Sequence, residues 1–330
     1  MSTSFEEVAV AKGSKAFHER RCTDSDGNEG VIPFYVIKGL NDGPTVCITA
    51  GVHGTEYAGI EASLRLYHEL DPKQLHGTII GCPITNYSSF VNRSMFVNPV
   101  DGKNLNFVFP GSDTGSITEV IAHVLLTDFV AHADYHIDMH SGDAVEDLFP
   151  YVFYHRSGQE NVDSVSKWMA ETFGLDYIAA TELAGEGTSD QGNFYAAVSE
   201  SGIPSIQPEA GGLGILEEKA VKIHYRGIER VLEGLHMLIV TTSGDTAETV
   251  KPPRELSRFL RPRTECDGLF YPRVAPGQKV EDGDVLGIVT DYRKESKKAE
   301  LVADGAGVAL WVLATPAVRA GDALMGVGVF

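Results

Sequence analysis

Short apolar runs alternate with amphipathic helical patterns through about residue 250, and few architectures accommodate that rhythm. Strand-like runs occupy Val31–Ile37, Thr45–Ala50, Thr78–Pro83, Ala133–Met139, Tyr151–Tyr154, Tyr177–Ala180 and Pro204–Gln207. Helical patterns fill about 57–70, 116–132, 161–173, 190–201 and 215–241. In the last of these Ile215, Val221, Ile228, Val231, Leu235 and Leu238 recur at helix-like spacing. The alternation predicts an α/β fold, a sheet with helices on both faces. In such sheets ligands bind beyond the carboxyl ends of the strands.

After Lys251-Pro252-Pro253 the helical period disappears and short runs punctuated by Gly and Pro take over. A weak repeat marks this region. Gly268-Leu269-Phe270 leads to Val280–Leu286, and Gly307-Val308-Ala309 leads to Val318–Leu324. The 330 residues therefore divide into a larger α/β domain over 1–250 and a small all-β accessory domain over 257–330. The repeated strand–turn–strand unit resembles a biotinyl/lipoyl-type fold. Lys297 or Lys298 could then serve as a carrier lysine, but the polar stretch Asp291–Lys298 reads more simply as a solvated loop.

The net charge of −19 excludes a nucleic-acid surface, which needs basic patches. It also sets a problem for any anionic substrate, since a local cationic pocket must overcome the overall field. No apolar run approaches the roughly 20 residues of a membrane span. The opening MSTSFEEVAVAKGSK has early acids and no apolar signal core. Cys22, Cys47, Cys82 and Cys266 are far apart in sequence, and Cys47 and Cys82 sit inside strand-like runs. That usage indicates reduced thiols and a cytoplasmic address rather than zinc ligation. A homo-oligomer is compatible with all of this.

Four segments carry chemistry. In AGVHGTE (Ala50 to Glu56), a strand ends, glycines break it and a helix pattern follows. His53 and Glu56 at that junction can turn toward one point. With a second histidine from another strand they would supply the two-histidine, one-glutamate set of a catalytic zinc; alone, the pair reads as a polar strand-end turn. Tyr135–Gly142 places His136, Asp138 and His140 on one strand face, with His140 at the end. Asp138 could hold the second nitrogen of a ligand imidazole or cap a nearby loop, and His136, further back, reads as structural. His123, His132 and His155 have no carboxylate at ligand spacing and read as surface or ordinary polar residues.

Ser205–Gly212 ends a strand on Glu209 before two glycines, a place from which a carboxylate can act as general base in a cleft. The long Asn- and Gly-rich stretch Phe96–Gly111 is either a surface loop or a substrate cradle.

Together these segments resemble the succinylglutamate desuccinylase/aspartoacylase family of zinc-dependent acyl-amino-acid hydrolases, relatives of the zinc carboxypeptidases. The resemblance covers about residues 45–240. It rests on the HxxE pair, the DGxNLNxxFPG loop, the DxHS strand end and the PExGG segment. It implies a carboxypeptidase-like mixed sheet, one Zn2+ on His53, Glu56 and His140, and Glu209 as general base. It further implies that Asn106 matches the asparagine of an Asn-Arg pair that holds the substrate carboxylate. The appended β domain is similar to that of longer bacterial members of the N-acetyl-diaminobutyrate deacetylase type. The implied partner is a small N-acylated amino acid.

One departure stands out: the arginine of that pair is Phe107 here. A phenyl ring cannot bind a carboxylate bidentately. Either Arg93, Lys103 or Arg156 takes over, or the substrate presents something less anionic. A zinc carboxypeptidase acting on short peptides and a catalytically silent amide-binding relative are the alternatives.

Overall fold

The alternating apolar runs become a nine-stranded mixed sheet because each run can bury both faces only between layers of helix. The computed structural model describes residues 8–182, 192–238 and 251–330. Residues 1–7, residues 190–191 of one predicted helix and residues 239–241 of another lie outside the described residues.

The sheet contains β1 (Ser14–Thr23), β2 (Glu29–Lys38), β3 (Asn41–Ala50), β4 (His76–Cys82) and β5 (Tyr135–Met139). A short β6 (Glu146–Leu148) leaves it, and β7 (Tyr151–Arg156), β8 (Tyr177–Glu182), β9 (Ser205–Glu209) and β10 (Arg254–Leu256) complete it. The spatial order is β1-β2-β4-β3-β5-β9-β7-β8-β10. At its centre β3 runs parallel to β4 and β5, and β5 runs parallel to β9, so β3, β5 and β9 end on the same edge.

Among the described residues six α-helices pack against the sheet: α1 (Tyr57–Glu69), α2 (Tyr87–Asn92), α3 (Ile117–Val124), α4 (Glu160–Phe173), α5 (Phe194–Glu200) and α6 (Glu218–Gly234). One core joins Ile48, Ile137 and Ile206 of the strands to Ala62 and Leu66 of α1, Met169 of α4 and Ile228 of α6. A second core on the opposite face joins Phe34, Cys47 and Ile80 to Ile121 of α3 and Phe194 of α5. Helices therefore cover both faces. The predicted helix over 116–132 is shorter than its pattern: α3 stops at Val124 and the chain widens into a π turn at Leu125–Phe129. The sequence reading missed β1, whose alternating exposure reflects an edge strand with one face in solvent.

The C-terminal region is all β, as expected. It comprises β11 (Arg258–Leu260), β12 (Gly268–Pro272), β13 (Lys279–Val280), β14 (Val285–Thr290), β15 (Lys297–Val302), β16 (Gly307–Leu313), β17 (Ala317–Val318) and β18 (Met325–Val329). They form two sheets around a core of Phe270, Leu286, Val289, Leu324 and Val327. This unit is bound firmly to the rest. Strand β6, six residues after His140, pairs with β16, and Phe149 N–H donates to Leu310 C=O at 2.7 Å. Tyr151, Phe153, Tyr177 and Tyr195 share a buried cluster with Leu256, Val308 and Leu310. Arg254 lies 3.4 Å over the ring of Phe330. Lys297 pairs with Glu300 at 2.6 Å and Lys298 donates to Asp267 C=O at 3.1 Å, so both lysines have local partners. No helix among the described residues is long and apolar enough to cross a membrane.

Candidate active site

Strand ends assemble the site. β3 finishes at Ala50, and Gly51 at φ +66° turns the chain toward α1. Only glycine takes that conformation cheaply, and the turn leaves His53 and Glu56 over the sheet edge. Glu56 is the N-cap of α1, yet its side chain caps no helix N–H. Its Oε1 lies 2.6 Å from His53 Nδ1, and its Oε2 lies 2.9 Å from His140 Nδ1 and accepts from Ser141 N–H at 3.3 Å. Strand β5 delivers His140, which bridges to Glu209 at the end of β9. All four side chains are buried.

The two imidazoles are oriented from behind. His140 Nε2–H donates to Asp138 Oδ2 at 3.1 Å, and His53 Nε2–H donates to Asn104 Oδ1 at 3.1 Å. Both Nδ1 atoms are thereby left as electron-pair donors on the Glu56 side. Asp138 is itself held: Thr49 Oγ1 donates to its Oδ1 at 2.6 Å. Having used its proton there, Thr49 accepts from His136 Nε2–H at 3.0 Å, and His136 Nδ1 accepts from Ser205 Oγ at 2.8 Å. His136 is thus a neutral strut behind the site. Burial drives its pKa down to about 4, more than Asp138 pulls it up.

The donor set fits a divalent cation. His53, Glu56 and His140 each offer a ligand atom within 4.8 Å of the others, and they are the only such group of three among the described residues. Their electrostatics agree. Burial is the largest single effect and acts to depress the histidine pKa values, but the charge and hydrogen bonding of Glu56 together outweigh it and both are raised, His140 strongly with the charge and hydrogen bond of Asp138 added. Burial would raise Glu56, yet the two imidazoles hold it low. Three buried groups sharing charge in this way suit a cation that replaces the protons.

Glu209 has the opposite environment. Burial and the charge of Glu56 push its pKa up to about 8, against the pull of His140 and of Gln207, whose Nε2–H donates to Glu209 Oε1 at 2.8 Å. A cation nearby would lower that value toward neutrality. These groups open on a cavity of about 710 Å³, of a size that holds a small molecule.

Other predicted residues separate. Asn106 lines the cavity; its Oδ1 accepts from Phe194 N–H at 2.8 Å. Phe107 also lines it and remains 53% exposed at the rim. Arg93 does not reach it, because it is the left-handed C-cap of α2 at φ +52° on an exposed turn. Lys103 is turned away to Glu119 at 2.7 Å, and Arg156 to Glu255 at 3.1 Å. Arg93 and Lys103, expected from the sequence to hold a substrate carboxylate, do not line the cavity. His155 is buried beside Thr181 rather than on the surface.

The sequence reading missed Asn104, which shares its loop with Asn106. It also missed Asp143, a buried brace that accepts from Thr55 Oγ1 and from Phe96 N–H at 2.7 Å. Tyr151 and Glu146 line the cavity too, and burial raises the Glu146 pKa to about 7. From the accessory region come Arg261, Arg263 and Trp311.

A mixed sheet carrying a buried His-Glu-His set and a separate acid at its strand ends defines the class. Residues 42–235 match the model of the Succinylglutamate desuccinylase/Aspartoacylase catalytic domain, and the chain belongs to this family. N-alpha-acetyl-L-2,4-diaminobutyric acid deacetylase of Halomonas elongata is 31% identical over 268 residues, 80% of this chain and 75% of that protein. A solved succinylglutamate desuccinylase/aspartoacylase from Rhodobacter sphaeroides matches with TM-score 0.84 at 25% identity, covering 99% of this chain and 98% of its own. The product-bound ectoine utilization protein EutE (DoeB) from Ruegeria pomeroyi matches with TM-score 0.84 at 25% identity, covering 98% and 97%. The likeness extends through the accessory β region.

Proposed function

We propose that this chain is a zinc-dependent amidohydrolase that removes an acetyl- or succinyl-type acyl group from an N-acyl amino acid or related small amide. One observation carries the proposal: His53, Glu56 and His140 converge with metal-donor atoms, and Glu209 stands beside them on a cavity of small-molecule size. The deacetylase relative supports the acyl-amino-acid substrate class. Residues 1–250 would form the catalytic domain and 257–330 an accessory domain of biotinyl/lipoyl-like architecture. The buried thiols Cys47 and Cys82 fit a reducing, cytoplasmic setting.

Zinc held by His53, Glu56 and His140 would supply Lewis acidity, polarising the amide carbonyl and making water a stronger nucleophile. Glu209 removes the proton from the attacking water and returns it to the departing amine. Its raised pKa suits both tasks, because a group titrating near the working pH can take a proton and give it back. Asp138 and Asn104 keep both imidazoles in the tautomer that leaves Nδ1 available. Asn106 presents its amide to the substrate. Strands of the accessory region wall the cavity with Trp311 and Leu313, which favours small amides over the long chains of a peptidase substrate.

The test is release of free amine from N-acetyl-, N-succinyl- and N-formyl-amino acids by the zinc-reconstituted chain, with blocked dipeptides in parallel. Turnover of the acyl amino acids that a chelator abolishes is expected. A preference for dipeptides would favour the carboxypeptidase reading. Binding of less than about a tenth of an equivalent of zinc after reconstitution would overturn the proposal.

A further inference from the structure

We infer that the accessory β domain supplies the anion-recognition site: Arg261 and Arg263 bind a carboxylate of the substrate in place of the arginine that Phe107 replaces. This deepens the deacylase reading and rests on it for the reaction, though not for the binding.

Position carries the argument. Among the described residues, Arg261 and Arg263 are the only arginine or lysine side chains that line the cavity. The candidates nearer in sequence are elsewhere: Arg93 on its exposed turn, Lys103 against Glu119, Arg156 against Glu255. A chain of net charge −19 repels a free anion from most of its surface, so a carboxylate-bearing substrate needs a cation inside the cavity itself. A guanidinium suits the task, since its fork matches the two carboxylate oxygens.

Arg261 follows β11 directly and its guanidinium lies 5.0 Å from the ring centre of Phe259, a ring that packs on Tyr151 and Phe153 of β7. Strand β7 pairs with β9, with Tyr151 opposite Glu209. Two packed layers therefore connect Arg261 to the base. The Tyr151 phenol feels the charges of both Glu209 and Arg261, which places the two within electrostatic reach of one ring. Arg263 Nη1 donates to Gly321 C=O at 2.7 Å, which fixes one side of its fork at the cavity wall.

The carboxylate can be the amino acid's own or that of a succinyl-type acyl chain. Three amides separate these sources: an N-acetyl amino acid, its carboxamide, and the N-succinyl amino acid carboxamide. Binding is measured by calorimetry on the full zinc-loaded chain carrying Glu209→Gln, so that turnover does not intervene. Kinetics are measured on the chain with Glu209 intact. The N-acetyl amino acid should bind at least 10-fold more tightly than its carboxamide if the α-carboxylate is held. Tight binding of only the succinyl compound assigns the acyl carboxylate instead.

In either case Arg261→Gln should weaken the charged ligand by about 10–100-fold, mainly in KM, and leave the neutral one within about 3-fold. Arg261→Lys, which keeps the charge but not the fork, should fall between. Arg263→Gln, on the exposed side, supplies the reading if Arg261→Gln fails to fold. Equal losses on charged and neutral ligands, or an undiminished preference for the charged ligand in the double variant, would overturn the assignment. Absence of turnover with the carboxylate preference intact would count against the deacylase reading and leave this one standing.

Discussion

Glu209→Gln should abolish turnover and at the same time make the metal-free protein more stable. The structure gives both effects a size. Glu209 is buried and its pKa rises from 4.5 to about 8. At pH 7 the unfolded chain carries this group ionised, whereas the folded chain holds it protonated, so folding must take up a proton. The cost grows by about 1.4 kcal/mol per pH unit between 4.5 and 7, a ceiling of about 3 kcal/mol. Glutamine has no proton to take up. Its amide can still meet Gln207, whose Oε1 has no partner among the described residues and whose Nε2 already faces the site.

A gain of roughly 1–3 kcal/mol follows, which raises Tm by several degrees on a scale of roughly 2–4 °C per kcal/mol. General acid–base help is worth roughly 10²–10⁴-fold, so kcat of the zinc-loaded variant should drop by that factor. Calorimetric melts of the chelated proteins from pH 4 to 8 measure the first effect, and amine release measures the second. The stability gap should be near zero at pH 4.5 and widen toward pH 8, since below 4.5 the acid is protonated in both states. A constant gap, or full activity in the variant, refutes the reasoning.

Three further outcomes follow from neighbouring residues. Asp138→Ala removes the acceptor of His140 Nε2–H and of Thr49 Oγ1; zinc affinity should fall about 10–100-fold in competition with a chromophoric chelator, and unchanged affinity would show that Asp138 does not orient the ligand. Gly54→Ala places a Cβ 2.1 Å from Ser89 C=O, against backbone that cannot give way locally; a loss of about 1–3 kcal/mol in denaturant unfolding is expected, together with weaker metal binding as His53 shifts. His136 is buried and neutral with its pKa near 4. As pH falls from 6.5 to 4 the unfolded chain takes a proton that the folded chain refuses. Stability relative to His136→Asn should therefore drop by up to about 3 kcal/mol across that window, and a flat difference would show that His136 titrates normally.

Much of this molecule is legible locally. The strand runs through Thr45–Ala50 and Ala133–Met139 became β3 and β5 within a few residues, because burying both faces demands continuous apolar sequence whatever lies beside it. His53, Glu56, His140 and Glu209 stand at strand ends, and parallel strands put their ends on one edge, so their convergence could be read before any coordinates. Edge strand β1 and short α2 were not legible, since solvent-facing positions carry weak periodicity.

What tertiary structure alone decided is which charged side chains line the cavity. Arg93 sits in the most suggestive loop yet faces out, because a left-handed C-cap reverses the chain there. Lys103 is held by Glu119, a partner supplied by α3. Arg261 reaches the cavity more than 200 residues after His53, brought back by the pairing of β6 with β16 and by the aromatic packing of Phe259 on β7. Local sequence dictates where a strand ends and what chemistry stands there. The far wall depends on contacts between distant segments, whose energies no local pattern encodes.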